Sequence, residues 1–189
     1  DLVNLETSVK ELEAAGCEMG DDGFYYRDGE KVGFVISVSA GDQVRIDMAQ
    51  IAAQELKEIG MDVQVNCTSD NNTIRKDPTL WDVYASAMVT APTGDPQYFF
   101  TSCALDSSVS NNGHYHSDKL EELAAQMENE FDVDKRAELG IQMQQTVLDD
   151  NAYVFCSHLR MSMIMQSNVT GLVAHPCDYY ELTADLDIN

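Results

Sequence analysis

The feature that most limits how this sequence can fold is a stretch over residues 33–66 in which the hydrophobic period changes twice. Two alternating runs flank a stripe of helical spacing; they are Phe34, Ile36 and Val38, then Ile46, Ala49, Ala53 and Leu56, then Met61, Val63 and Val65. Alternation is typical of strands and the stripe of a helix. Strand, helix and strand with short connections predict a βαβ unit with parallel strands and a right-handed crossover.

A second informative stretch runs from Trp81 to Phe100. Its first part, Val83–Val89, is apolar and long enough for one buried strand. Pro92, Gly94 and Pro96 then predict a stiff turn, because proline fixes its own φ and glycine tolerates left-handed backbone. A buried strand ending in a stiff polar loop is how α/β proteins present groups to a ligand. A plain surface turn between two core elements is the alternative.

The remaining segments predict short strands and amphipathic helices. We expect an N-terminal helix ending at Gly16, a hairpin turn at Asp28-Gly29, and a helix capped by Ser117. Strands are expected at Tyr153–Phe155 and around Met161 to Met165. Two helices after residue 117 are expected to bury Leu120, Leu123, Ala124, Met127 and Phe131, and Ala137, Ile141, Met143, Val147 and Leu148.

Charge narrows the class of partner. With 33 acidic and 11 basic residues, the net charge is −22. This excess disfavours nucleic acid, whose phosphates require Lys and Arg, and also an anionic membrane surface. It weakly favours cationic cargo, although solubility in a salty setting is the simpler explanation. The sequence contains no apolar run of membrane-spanning length, and it opens without a signal pattern, as a processed or excised chain would.

The cysteines and histidines, which are few, give only weak indications of a metal or catalytic site. The five cysteines lack CxxC spacing, so we expect buried free thiols rather than a disulfide framework or a zinc site. No nucleophile elbow, HExxH or phosphate loop is present. His114 and His116 would lie on one side of an extended segment and could offer imidazole to nickel or zinc; solvated loop histidines are the alternative.

Several segments, taken in chain order, match the landmarks of one known family. They are Leu12–Gly16, Gly20–Gly23, Asp28–Lys31, Ala52–Val63, Trp81–Asp82, Gly94–Pro96, Gly113–Leu120 and Asp134–Leu148. Together they resemble the second lobe of the extracellular solute-binding proteins (family 5) that serve ABC importers of the peptide and nickel class.

The resemblance implies an α/β periplasmic binding protein-like lobe of type II, with a mixed sheet flanked by helices. Residues 1–189 would form a single C-terminal lobe of a two-lobed, hinge-closing protein, and about 171–189 would return toward the first lobe. It implies a monomeric, non-catalytic receptor without a cofactor, secreted or lipid-anchored at the extracellular face or in the periplasm. Its partners would be the cargo and the ABC permease subunits.

The resemblance also bears on the cargo. Peptide-binding members often carry an aspartate just before the Asp-Pro pair, but Ala91 to Gly94 contain no acidic residue. The Ala-Pro dipeptide and the tail from His175 to Leu182 look more like nickel-uptake members. Nickel as a chelate is therefore the favoured cargo, and an oligopeptide is the alternative.

Site residues follow from the same resemblance. The expected ligand-binding residues are Thr93, Gly94, Asp95, Gln97, Tyr98 and Arg160, and the expected metal ligands are His175, His114 and His116. Arg160 suits a cargo carboxylate because its guanidinium binds two oxygens at once, although a surface arginine ending a strand is as consistent. Two rival classes remain, a hydrolase with metal on the 114/116 pair and an acidic interaction module without a closing cleft.

Overall fold

The computed structural model describes residues 4–159, 162–175 and 182–189. The chain divides into two compact units, Asp1–Ala87 and Met88–Asn189. Each unit contains its own cluster of buried apolar side chains. The expectation that residues 1–189 form one lobe stays a prediction. Among the helices of the described ranges, none has both the length and the apolar character needed to cross a bilayer.

The first unit begins with a helix and a small antiparallel sheet. The Asn4 side chain caps α1 (Leu5–Ala14), and Gly16 follows it with a φ of 80°. Strands β1 (Glu18–Met19), β2 (Tyr25–Arg27) and β3 (Glu30–Lys31) pair in chain order. Asp28 and Gly29 both have positive φ, as a tight two-residue hairpin turn requires. The predicted helix and hairpin are confirmed.

Next come β4 (Gly33–Ser39), α2 (Gln43–Glu58) and β5 (Asp62–Thr68), the predicted βαβ unit. The two strands pair in parallel from Gly33 opposite Asp62 to Ser39 opposite Thr68. The Asp42 side chain caps α2 by accepting a hydrogen bond from the Arg45 backbone N–H at 2.9 Å. The strands and the helix share one core, formed by Ile36, Ala49, Ala53 and Val63. The strongest expectation from the sequence is therefore confirmed.

The predicted strand over Val83–Val89 is wrong in length and burial. Only β6 (Val83–Tyr84) pairs, in parallel with β4, and Val83 is 39% exposed. The small side chains of residues 85–87 bury little apolar area, so they do not favour a longer strand. The resulting parallel sheet has the order β5-β4-β6. The polar connection before β6 contains a short helix, α3 (Asn71–Lys76), which the sequence did not predict.

The second unit is built around α4 (Asp118–Glu128) and α5 (Val133–Asp149). Ser117 caps α4 as predicted, and Asp132 caps α5. A π-helix (Phe100–Ala104) supplies the other side of the core. This core consists of Phe100, Ala104, Leu105, Leu120, Leu123, Ala124, Met127, Met143 and Val147. Strands β7 (Val169–Thr170) and β8 (Asp187–Ile188) pair antiparallel near the end of the chain.

The buried face of α5 lies one position away from the predicted stripe. Gly140, Met143, Thr146 and Val147 are buried, whereas Ile141 is 65% and Leu148 50% exposed. Ala137 is exposed too. Because apolar residues lie on both the buried and the exposed face of α5, the hydrophobic pattern of the sequence fits more than one helical face. Phe131, predicted in the α4 stripe, is 88% exposed because α4 ends at Glu128.

Two strand predictions after α5 are also wrong. Residues 152–159 and 162–166 carry no strand, and Met161 lies outside the described residues. Val154 is 85% and Met165 52% exposed, so neither belongs to a core. Met161, Met163 and Met165 alternate as a strand would, but no strand of the described residues pairs with residues 152–159 or 162–166.

Of the four cysteines in the described part of the chain, only one is buried. Cys17 is buried as expected, Cys103 is half-buried, and Cys67 and Cys156 are exposed. The expectation of buried thiols is therefore wrong for the last two. Cys177 lies outside the described residues.

Candidate ligand-binding site

The loop from Ala91 to Tyr98 begins with a tight turn in the second unit. The Gly94 N–H donates to the Ala91 carbonyl at 3.0 Å, and Gly94 has a φ of 80°. Pro92 is buried, while Thr93 and Gly94 are exposed. This part of the loop is therefore stiff and open to solvent, as its sequence predicts.

Asp95 is engaged within the protein. Its Oδ1 accepts the Gln97 backbone N–H at 2.8 Å, and its Oδ2 accepts from Arg136 Nη2 at 2.7 Å. Arg136 Nη2 also lies 3.1 Å from Gln97 Oε1. Both predicted ligand residues thus contact the same guanidinium group, so their polar atoms shape the loop.

Arg136 connects this loop to the end of α4. Its Nη1 donates to the carbonyl oxygens of Met127 at 2.7 Å and Glu130 at 2.9 Å. Carbonyls at a helix C-terminus lack intrahelical partners, and a guanidinium with donors in a fixed plane can satisfy several acceptors together. Arg136 is not among the residues expected from the sequence, because no local spacing indicates a contact with Asp95.

A close approach between Pro96 and α5 fixes the loop a second time. A Cβ added to Gly140 would lie 3.0 Å from Pro96 Cβ. Only glycine allows this separation without movement, which explains why an otherwise unfavourable residue stands inside a helix. Tyr98, just beyond, is 39% exposed. Of the predicted ligand-binding residues in the loop, Thr93, Gly94 and Tyr98 are therefore the exposed ones.

The two neighbouring histidines have different surroundings. His114 is exposed and has a φ of 52°, so the segment is not extended at this residue and the condition for placing the two histidines on one side is not met. His116 Nδ1 lies 2.9 Å from Asp106 Oδ2, and its Nε2 lies 3.3 Å from Asp118 Oδ1. The hydrogen bond to Asp106, with smaller help from Asp118, raises the pKa of His116. A raised pKa favours the imidazolium, which cannot bind a metal until it loses a proton.

The third predicted metal ligand, His175, is exposed. Arg160, the residue expected to bind a carboxylate of the cargo, lies outside the described residues. Across the ranges that the structure describes, no three His, Cys, Asp or Glu side chains are arranged to hold a metal ion.

A polar cluster that the sequence did not predict lies at the carboxyl edge of the parallel sheet. Tyr84 Oη donates to Asn71 Oδ1 at 2.8 Å, and Asn71 Nδ2 donates to Ser39 Oγ. Because parallel strands end at one edge, the predicted βαβ unit already indicated that residues after β4 and β5 would meet. What was missing was α3, which carries Asn71.

Solved structures with the same fold are binding proteins. A nickel ABC transporter protein from Bacillus halodurans matches with a TM-score of 0.77 and 20% identity, covering 98% of this chain and 39% of that one. NikA from Staphylococcus aureus in complex with Ni(L-His)2 matches at 0.69 and 20%, covering 78% and 30%. AppA from Bacillus subtilis in complex with a nonapeptide matches at 0.66 and 21%, also covering 78% and 30%. The fold is therefore that of a periplasmic binding protein of the peptide and nickel class.

Sequence comparison extends this result from fold to family. A family model described as bacterial extracellular solute-binding proteins, family 5 Middle, matches residues 2–111. Since this match covers more than half of the sequence, the chain belongs to the family 5 bacterial extracellular solute-binding proteins. It is a family of solute-binding proteins rather than enzymes.

Two curated proteins are similar to this chain over most of its length. Oligopeptide-binding protein AppA of Bacillus subtilis (strain 168) is 25% identical over 176 residues, which are 90% of this chain and 32% of that protein. Protein XP55 of Streptomyces lividans is 24% identical over 180 residues, 89% of this chain and 31% of that protein. The chain spans about a third of the length of these relatives.

Proposed function

We propose that this chain is the C-terminal lobe of a two-lobed receptor that captures a small solute and delivers it to the permease of an ABC importer. Membership of family 5 supports the binding role, and the span of a third of its relatives supports a lobe. Closure of two lobes about a hinge would hold the cargo. The whole receptor is proposed to be a monomer at the extracellular face or in the periplasm, secreted or lipid-anchored.

For the cargo we propose nickel held in a small chelate. The observation that carries this choice is that Asp95, the only acidic residue from Ala91 to Tyr98, is paired with Arg136 at 2.7 Å. This loop therefore offers no second carboxylate to the ammonium group of a peptide. Nickel suits nitrogen ligands, and the broadly acidic chain favours a cation.

The histidines are proposed to complete the nickel coordination. We assign the first role to His175 and a second role to His114. His116 is the weakest of the three, because a metal would have to displace both a proton and its carboxylate partners. Thr93, Gly94 and Tyr98 would contact the chelator, and Arg160 would bind its carboxylate.

An oligopeptide is the second candidate. The curated relative with the printed name oligopeptide-binding protein is 25% identical to this chain. The structure of the same-named protein with a nonapeptide has a TM-score of 0.66. These likenesses are the support for a peptide as cargo.

Calorimetry of the complete two-lobed receptor separates the two cargoes. We expect heat of binding with nickel plus free L-histidine and none with a mixed peptide pool. His175→Ala should weaken nickel capture at least tenfold, whereas His158→Ala, a change at a histidine outside the proposed site, should not. Peptide binding without any response to nickel and histidine would reverse the choice of cargo. Metal-dependent cleavage of an ester and peptide panel would instead indicate the hydrolase.

A further inference from the structure

The order of the parallel sheet marks a candidate ligand position beside its central strand. The chain passes from β4 to β5 on one side and later adds β6 on the other, which gives the order β5-β4-β6. The connection that leaves β4 therefore runs toward β5, and the connection that leaves β5 runs back past β4 toward β6. In open α/β sheets, ligands bind outside the carboxyl ends of the strands at this kind of topological switch.

Three neutral polar side chains occupy this position. Ser39 ends β4, Tyr84 ends β6, and Asn71 begins α3 between them in sequence. Tyr84 Oη donates to Asn71 Oδ1 at 2.8 Å, and Asn71 Nδ2 donates to Ser39 Oγ. All three residues are half-buried, so the cluster is ordered and still accessible.

The support around the cluster is rigid. The Trp81 indole N–H donates to the Ile74 carbonyl at 2.9 Å, which ties α3 to the start of β6. The Trp81 and Tyr84 rings lie 5.8 Å apart. These two contacts hold α3 against β6, so Asn71 and Tyr84 keep their separation without a ligand.

Two side chains of the cluster have protons that are not used in the hydrogen bonds within it. Ser39 Oγ accepts from Asn71 Nδ2 and from the Gly41 N–H at 3.4 Å, which uses both of its lone pairs and leaves its own proton to donate. Asn71 Nδ2 has a second proton beyond the one given to Ser39. The cluster thus presents two neutral donors close together. An oxygen that accepts two hydrogen bonds fits this arrangement.

We infer that Ser39, Asn71 and Tyr84 form a subsite for a carbonyl or carboxyl oxygen of the cargo. Ser39 and Asn71 donate to this oxygen, and Tyr84 orients the Asn71 amide. The nearby cation of α2, Arg45, is already paired with Asp42 at 2.6 Å, so neutral donors carry the recognition. The oxygen belongs either to the carboxylate of a chelator or to a peptide group. This inference rests on the proposed receptor function, and it deepens that proposal by adding a second contact region.

Substitutions in the two-lobed receptor test the subsite. Ser39→Ala and Asn71→Ala should each weaken the cargo that binds, nickel–histidine or peptide, about tenfold, the equivalent of one lost hydrogen bond. Asn71→Asp should weaken it further, because it replaces both donors by a negative charge. Asn72→Ala, on the exposed neighbour in the same helix, should leave the affinity within about twofold. Equal affinities for the Asn71 and Asn72 variants, with unchanged melting curves, would overturn the subsite.

A second measurement keeps the test independent of the cargo. We would titrate the wild-type receptor with acetate and with acetamide and follow the side-chain amide resonances by NMR. The Asn71 amide should shift and the Asn72 amide should not, with acetate if the source is a carboxylate and with acetamide if it is a peptide group. No shift of Asn71 with either probe would overturn the subsite. If the Asn71 amide shifts but the receptor binds neither cargo, the result would contradict the proposed receptor function and not the subsite.

Discussion

At the scale of single residues, Arg136 organises the candidate loop. Its side chain is only 18% exposed, and it serves the Asp95 carboxylate, the Gln97 amide and two carbonyls at the end of α4. A single cation thus donates to four acceptors of the loop and the helix end.

We predict that Arg136→Ala lowers the free energy of unfolding by about 2 kcal/mol, since two carbonyls and a carboxylate each lose a charged donor. Urea unfolding measures this change. Lys135→Ala removes an exposed neighbouring charge and should cost less than about 0.5 kcal/mol. A double-mutant cycle with Asp95→Ala should give a coupling of about 1 kcal/mol, reduced by the partial exposure of Asp95. Equal effects of Arg136→Ala and Lys135→Ala would contradict the assigned role.

His116 gives a prediction that the stability of the protein depends on pH. Its pKa is raised in the folded state from the ordinary value of 6.5, mainly by Asp106 and less by Asp118. A raised folded pKa means that the stabilisation is complete below about pH 6.5 and is lost as pH rises through the folded pKa. The free energy of unfolding should therefore fall from about pH 6 to pH 8 more steeply in the wild type than in His116→Gln.

NMR titration provides the matched control for His116. Asp106→Asn removes the first partner of the imidazole, so it should lower the measured pKa of His116 toward its ordinary value. The Glu121 carboxylate accepts the Asp106 N–H at 2.8 Å and stays near in both proteins. An unchanged His116 pKa in the Asp106 variant would show that the ion pair is not what raises it.

At the scale of elements, the sequence predicted an element correctly where several local signals agreed and wrongly where only one signal was present. The βαβ unit combines two alternating runs with a helical stripe, and all three elements form. Val83–Val89 had hydrophobicity only, and two of its residues pair. The same holds for the candidate site. Pro92 and Gly94 predicted its stiff turn, but the contact between Asp95 and Arg136 joins residues 41 positions apart, and no local pattern indicates it.

The capping residues give a prediction at this scale. Ser117 Oγ accepts the Leu120 N–H at the start of α4, and Asp132 accepts from the N–H groups of Asp134 and Lys135 at the start of α5. Replacing either cap by alanine should cost about 1 kcal/mol, and replacing it by asparagine should cost much less. Thermal unfolding of the four variants measures both differences. Alanine and asparagine variants of equal stability would mean that the caps contribute nothing.

At the scale of the whole molecule, charge is the dominant feature. A net charge of −22 must strain the compact state by self-repulsion, because few basic residues are present to compensate. Raising NaCl from about 0.1 M to about 1 M shortens the Debye length from about 10 Å to about 3 Å. We predict that this stabilises the protein by about 1 kcal/mol, or a rise in melting temperature of about 2–4 °C.

A charge-neutralised variant is the control for the salt effect. Glu122, Glu128 and Glu138 are exposed on α4 and α5, and their replacement by glutamine should make the dependence on salt shallower. The same slope in both proteins would indicate that salt acts through apolar hydration instead of charge screening.

The contact between Trp81 and Ile74 has a practical consequence. Trp81 is the only tryptophan in the chain, and its indole N–H is committed to a carbonyl of α3. Indole emission moves with hydration of that N–H, so its wavelength reports whether α3 stays docked beside Tyr84. The protein consequently contains its own optical reporter next to the proposed subsite. Stopped-flow fluorescence can time a cargo's arrival there without any attached dye.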